Sequence, residues 1–287
     1  MRKEKTILIS FSGGRTSAFM TKFILKSKKY KDFQKIIVFA NTGKEREETL
    51  EFINKFENHI KERIFWLEAV VNKEKGKGTR HKIVGFNTAS RNGEPFEEVI
   101  KKYTIPNKEF IHCTRELKIN PIKSFLRYLG FKKNDYQTAI GIRSDEQHRV
   151  NWESAKSDNQ IYPLITDIRV DSKFIRKYWE SMPFDLKLKD YEGNCDLCYK
   201  KSNRKLLTLI TENPQLLDWW NKMEIEHGND EYTFFRGNKS ALDLLELSKK
   251  PFRKAIDKHE LEKQSPTLFE RYDYDLDGES SCLCGEF

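Results

Sequence analysis

The stretch Thr6-Ile-Leu-Ile-Ser-Phe-Ser-Gly-Gly-Arg-Thr-Ser17 decides the fold. Thr6 to Phe11 is a β-branched and apolar run that stops at Ser12-Gly13-Gly14, and from Thr16 to Lys26 apolar residues recur at helical spacing. The segment reads as strand, glycine turn, helix. Outward from it, Lys35 to Ala40 is a second apolar run, closed by Asn41-Thr42-Gly43, and Glu45 to His59 carries Leu50, Ile53 and Phe56 along one helical face. Arg63 to Val71 is a third strand and Tyr136 to Ile142 a fourth, ending in Gly141-Ile-Arg143-Ser-Asp145. Alternating strands and helices predict parallel βαβ units, an α/β fold with a Rossmann-like parallel sheet covered by helices.

Between these elements, Asn72 to Arg80 is basic and contains glycine, and reads as a mobile loop. Asn120 followed by Pro121 reads as an N-cap and first-turn proline opening a helix through Leu129. The pattern changes near Lys187, where Cys195-Asp-Leu-Cys198 precedes helical stretches at Arg204 to Glu212 and Pro214 to Glu226. A boundary there divides the chain into an α/β domain, 1–186, and a mainly helical, cysteine-containing region with an acidic tail, 187–287. Trp219-Trp220, with Leu216 and Leu217, reads as the core face of a helix rather than a base-stacking platform.

The chain has 287 residues, and its 53 Lys+Arg against 44 Asp+Glu leave a formal charge of +9. Its 20 Phe, 11 Tyr and 5 Trp supply bulky apolar surface that a disordered chain lacks. No apolar run approaches the ~20 residues needed to span a bilayer, and no signal-peptide core opens the sequence, so a cytoplasmic protein without membrane contact is expected. The basic balance permits tRNA or DNA as a partner, and the sequence leaves oligomeric state, a homo-oligomer included, open. Five cysteines in such a chain argue for metal binding or redox chemistry over a disulfide framework.

Glycines between a strand and a helix let the backbone approach a ligand, and the N–H groups at the helix start bind phosphate. Ser12, Thr16 and Ser17 add hydroxyl donors, and Arg15 adds a planar cationic fork. The run Ser10-Phe-Ser-Gly-Gly-Arg-Thr-Ser17 closely resembles the S-G-G-x-D-S pyrophosphate loop (PP-loop) of the adenine nucleotide alpha-hydrolase superfamily. Phe39-Ala-Asn-Thr-Gly-Lys-Glu45 with Glu48-Thr-Leu50 resembles the second-strand signature of the phosphoadenosine phosphosulfate (PAPS) reductase branch, and Gly141 to Arg149 is similar to a third segment facing the nucleotide. The resemblance implies an adenine nucleotide, ATP or a sulfonucleotide, held by Ser12, Gly13, Gly14, Arg15, Thr16, Ser17, Phe39, Asn41, Thr42, Gly43, Gly141, Arg143, Asp145 and Arg149 across the strand ends. The family's loop Asp is Thr16 here, and that Asp helps hold the metal–pyrophosphate in ATP-cleaving relatives; magnesium-dependent ATP cleavage is therefore an open question, while anion binding survives the change.

Cys195-x-x-Cys198 can place two sulfurs on one soft metal. Cys113-Thr-Arg-Glu-Leu-Lys118-Ile-Asn-Pro121-Ile122 resembles the C-C-x-x-R-K-x-x-P-L segment of the iron–sulfur adenylyl-sulfate reductases, with Thr114 at the second cysteine and Leu117 at the arginine. The resemblance implies a 4Fe-4S cluster on Cys113, Cys195 and Cys198, with zinc and unligated thiols as alternatives. The fourth ligand is Cys282, Cys284 or an open iron. In the tail, Cys284-Gly285 matches the Cys-Gly of the E-C-G-x-H segment that ends sulfonucleotide reductases, whose cysteine attacks the substrate sulfur. The resemblance thus assigns catalysis to Cys284, Lys118 and Arg143, in thiol-dependent reduction with a dithiol such as thioredoxin. ATP-dependent thiolation of a tRNA or DNA base is the alternative reaction, and a nucleotide-binding or sensing module the third reading.

Overall fold

The computed structural model describes residues 5–74, 76–257 and 260–261. Six strands form one sheet in the order β4-β3-β2-β1-β5-β6: β1 (Lys5–Ser10), β2 (Phe33–Asn41), β3 (Ile64–Val70), β4 (Arg80–Val84), β5 (Tyr136–Ile140) and β6 (Gln160–Ile161). All neighbouring pairs are parallel except β3 and β4. The α/β Rossmann-like fold expected from the sequence is the fold observed.

Strand alternation divides the core into two faces. On one face Ile7, Ile9, Phe11, Ile37, Phe39, Ile64 and Trp66 pack under α1 (Arg15–Lys26) and α2 (Glu47–Ile60). On the other, Leu8, Ile36, Val38 and Leu67 meet Ile122, Phe125 and Leu126, which a helix entered at Asn120 carries. The chain runs outward from β1 to β2 to β3 and then returns to place β5 on the opposite side of β1. The carboxyl ends of β1 and β5 therefore flank a topological switch point, where open α/β sheets form a ligand crevice.

A second core joins α3 (Glu94–Tyr103) to the C-terminal helices. Phe96, Val99 and Ile100 pack with Leu206, Leu209, Trp220, Met223 and Leu244. Trp220 is a core residue, and Trp219 packs at the edge of the same cluster.

Two local expectations are corrected. Arg80 opens β4 instead of ending a loop; Arg-His-Lys-Ile-Val has little apolar alternation because β4 is an edge strand, where exposed basic residues are tolerated. Asn120 is no N-cap: its backbone is helical, and α4 (Asn120–Tyr128) continues a π-helical turn, Arg115–Ile119. The Asn120 N–H reaches back to the Arg115 carbonyl, one residue further than in an α-helix, immediately before Pro121, which has no N–H. The Asn120 side chain instead donates to buried Glu116 at 3.1 Å.

Candidate functional site

The glycine turn is built for close backbone approach. Gly13 has φ +80°, and a Cβ there would lie 2.8 Å from both Ile53 Cδ1 and Thr49 Cγ2 of α2. Gly14 is the N-cap of α1 and supplies no side-chain acceptor, so the first N–H groups of the helix face outward without a cap. Ser17 Oγ lies 3.0 Å from Ser12 Oγ and accepts from the Ser12 N–H at 3.2 Å, fixing the turn from within. Gly141 lets the end of β5 approach α1, since a Cβ there would sit 3.2 Å from Ser17 Cα.

Cations converge on this point from three directions. Ser12, Gly14, Arg15, Thr16 and Ser17 line one cleft with Gly141, Arg143 and Arg149 beyond β5 and with Lys201 and Lys205 from the C-terminal region. Arg143 donates to both Asp145 oxygens at 2.9 and 3.0 Å and to Thr16 Oγ1 at 3.3 Å. Burial works against its charge, but the Asp145 hydrogen bonds and the charges of Glu146, Asp145 and Asp190 outweigh it and hold the guanidinium above its ordinary range. Arg149 pairs with Glu146 at 2.7 Å and keeps a buried Nε without a partner. With the Arg15 guanidinium taken by Asp185, four basic side chains, Arg143, Arg149, Lys201 and Lys205, against Glu146 and Asp190 make the cleft cationic, suited to phosphate or sulfate oxygens.

The segment from Gly193 to Lys201 forms the far wall. Asn194 Nδ2 donates to the Ser12 carbonyl at 2.6 Å, and the Asn194 carbonyl accepts from the Arg46 N–H at 2.8 Å. Glu45 and Cys195 form an antiparallel bridge, and Lys44 pairs with Asp196 at 2.8 Å with both side chains about nine-tenths buried. Gly193, Asn194 and Lys201 line the cationic cleft, whereas Cys195, Cys198, Tyr199 and Lys200 line a second pocket beside it.

That second pocket brings the three predicted ligands together. Cys113, Cys195 and Cys198 line it with Thr114, Lys118, Lys44 and the apolar Phe96, Leu117 and Trp220. Cys113 Sγ lies 3.2 Å from Tyr199 Oη, and Cys195 Sγ lies 3.8 Å from Glu45 Oε1. Three soft donors from two chain segments on one pocket could hold a thiophilic metal or cluster. His112, next to Cys113, is structural: burial pushes it down to about 4, and its Nε2 meets the Thr104 carbonyl at 2.9 Å.

Other predicted residues are turned away from the cleft or lie outside it. Arg15 turns its guanidinium to Asp185, at 2.8 and 2.9 Å, and to the Leu186 and Leu188 carbonyls, bracing the segment after Glu180. Phe39 is 1 % exposed and stacks edge-on against Trp66 in the main core. Asn41 donates to buried Glu68 at 2.7 Å, Gly43 packs against Gly93 and Pro95, and Thr42 belongs to the cysteine pocket. Lys118 also lies in the cysteine pocket, away from the cationic cleft. Cys282 and Cys284 fall outside the described residues. Sequence reading missed Glu146, Asp190, Asn194, Lys201 and Lys205; the glycine before Asn194, at φ +67°, was the one local sign of a tight approach.

Comparison with known proteins bears on the N-terminal part of this arrangement. Residues 6–86, which carry the glycine turn and β2, match the phosphoadenosine phosphosulfate reductase domain. The chain is 30% identical over 204 residues to an uncharacterized nin region protein of Escherichia phage lambda, covering 69% of this chain and 67% of that protein. It is also similar to two uncharacterized proteins of Methanocaldococcus jannaschii: 26% identical over 244 residues, with 82% of this chain and 51% of the relative covered, and 29% over 143 residues, with 50% and 24% covered. The chain thus spans about half or less of those two archaeal relatives. Among the described residues no helix is long and apolar enough to cross a membrane. With the glycine turn, the strand-end arginines and the matched domain in register, the chain belongs to the PAPS reductase family of the PP-loop superfamily.

Proposed function

We propose that this chain binds an adenine nucleotide in the cationic cleft and carries out sulfur chemistry on it, by thiol-dependent reduction of a sulfonucleotide, adenylyl sulfate or PAPS, to sulfite. The observation that carries this reading is the shared wall: Gly193 to Lys201 faces the cleft with Asn194 and Lys201 and the cysteine pocket with Cys195 and Cys198. A nucleotide and a sulfur centre on two sides of one short segment can act on the same substrate.

In this reaction a cysteine thiolate attacks the sulfuryl sulfur, and the S–O bond to the nucleotide phosphate breaks with its electron pair leaving on the phosphate. A dithiol such as thioredoxin then attacks the enzyme's cysteine sulfur, releasing sulfite. Its second thiol closes a disulfide and restores the enzyme thiol, so the dithiol loses the two electrons that the sulfuryl group gains. Cys284 is the nucleophile that the family resemblance assigns. The N-terminus of α1, Arg143 and Arg149 hold the phosphate and stabilise the charge of the leaving group. Arg143 over Thr16 puts a guanidinium where ATP-cleaving relatives keep a metal-holding carboxylate, which favours a sulfonucleotide over magnesium–ATP. Cys113, Cys195 and Cys198 would hold a 4Fe-4S cluster or zinc, which when bound supplies a polarising charge and a docking point for sulfur next to the cleft.

A second reading, ATP-dependent thiolation of a tRNA or DNA base, draws on Thr114 beside Cys113, which leaves three thiols in the pocket among the described residues, and on the cleft carboxylates Glu146 and Asp190 as magnesium ligands. Incubating the anaerobic protein with ATP, adenylyl sulfate or PAPS plus a dithiol, and separating the products, decides between them. Sulfite with AMP or 3′,5′-bisphosphoadenosine supports the reductase. AMP and pyrophosphate from ATP, stimulated by tRNA or DNA with strong salt dependence, support thiolation.

A further inference from the structure

Lys201 is buried, at 3 % exposure, yet it lines the cationic cleft. Its Nζ donates to the Cys195 carbonyl at 2.9 Å and reaches the Asp196 carbonyl at 3.5 Å. Among the described residues no carboxylate oxygen lies within ion-pair distance of it, and the Asp196 carboxylate next to it is paired with Lys44. Two carbonyls leave one of the three ammonium donors unused and the charge uncompensated, and a buried cation in that state is costly unless an anion meets it. The way in is bare backbone: Gly193, at φ +67°, stands in front of the ammonium, and a Cβ there would lie 3.5 Å from Nζ.

We propose that Lys201 binds the anionic group of the nucleotide that lies nearest the cysteine pocket and, through its hydrogen bond to the Cys195 carbonyl, positions the cysteine segment against that group. This rests on the adenine-nucleotide reading above. Lys201 is thereby a specificity determinant of the cleft: it rewards a polyphosphate or phosphosulfate and contributes nothing to adenosine. It is also the single side chain among the described residues that lines the cleft and hydrogen-bonds the Cys195 main chain.

The test is calorimetric titration of the full chain with adenosine, ADP and inorganic pyrophosphate, for the wild type, Lys201→Met and Lys201→Gln. Gln keeps an N–H for the Cys195 carbonyl while removing the charge, so it separates loss of charge from loss of fold. The proposal predicts ADP and pyrophosphate binding weakened by about tenfold or more in both variants, with adenosine unchanged. Wild-type affinity for ADP and pyrophosphate in Lys201→Gln overturns the role of Lys201 and leaves the nucleotide reading standing. Pyrophosphate binding that needs Lys201, with no binding of either adenine compound, upholds the anion site and overturns the nucleotide reading. Binding of none of the three by the wild type overturns both.

Discussion

Asn194 Nδ2 donates to the Ser12 carbonyl at 2.6 Å, tying the cysteine-bearing segment to the glycine turn across 182 positions of sequence. The same residue accepts from the Arg46 N–H, so the exit of β2, the glycine turn and the segment from Gly193 to Lys201 are held at one point. Asn194→Ala leaves the Ser12 carbonyl without this donor and is expected to cost about 1–2 kcal/mol of stability. Because the turn loses its brace, nucleotide affinity falls several-fold as well. Denaturant unfolding with ADP titration checks both; unchanged affinity would show that the turn holds its shape without Asn194.

The Lys44–Asp196 pair clamps the same segment. Asp196 also accepts from Trp220 Nε1 at 3.2 Å, and Lys44 lies 4.8 Å from the centre of the Trp219 ring. Removing one partner strands a buried charge, so Asp196→Leu alone is expected to cost about 3–5 kcal/mol. The double variant Lys44→Met with Asp196→Leu recovers much of that loss. A double-mutant cycle by chemical denaturation measures it, and additive effects would contradict direct coupling.

Gly13 cannot accept a side chain without strain. With φ +80° and two side-chain carbons of α2 2.8 Å from any added Cβ, Gly13→Ala is expected to destabilise the protein by more than about 1 kcal/mol. It also pushes the turn off α2, so binding suffers more than stability. Circular dichroism melting and calorimetry on one sample compare the two effects; a melting loss with intact binding would contradict the assignment of the turn to the ligand.

Glu224 anchors the loop between α5 (Leu217–His227) and α6 (Ala241–Ser248), accepting from the Phe235 and Ala241 N–H groups at 3.1 and 2.7 Å. Burial pushes its pKa up to about 7, against the hydrogen bonds from Ala241 and Phe235, with Asp243 adding to the rise. The folded value exceeds the unfolded one of 4.5, so the protonated form favours folding. This contribution is full below pH 4.5 and is lost as pH rises towards 7. The stability difference between wild type and Glu224→Gln is therefore expected to change by the order of 3 kcal/mol between pH 8 and pH 4, in favour of the wild type at low pH. A difference that does not vary with pH would mean that the two N–H groups keep the carboxylate ionised.

Much of the architecture was legible in the chain because it is written in local patterns. β1, β2 and β3 each carry a continuous apolar run, β5 ends apolar at Ala139-Ile140, and the turn at Ser12 to Gly14 needs glycine for reasons its neighbours announce. β4 was hidden because an edge strand rich in Arg, His and Lys has no alternation to read. Within the site, the turn, Arg143, Arg149 and the three cysteines were found, while Asn194 and Lys201 were not. Their roles depend on the docking of one short segment on Ser12 and Lys44, a contact without local signature. Arg15 shows the converse: the motif proposes an anion ligand, but Asp185 lies in reach and takes the guanidinium.

The central claim is that the cleft holds the nucleotide while the sulfur chemistry depends on the cysteine pocket beside it. It is tested most directly by comparing wild type with the Cys195→Ala and Cys198→Ala variants under anaerobic conditions, measuring equilibrium nucleotide binding and single-turnover sulfite release from whichever of adenylyl sulfate and PAPS the wild type reduces. The account predicts nucleotide affinity within about threefold of wild type, because neither cysteine lines the cleft, together with loss of sulfite release. Sulfite release at the wild-type rate in both variants would contradict it.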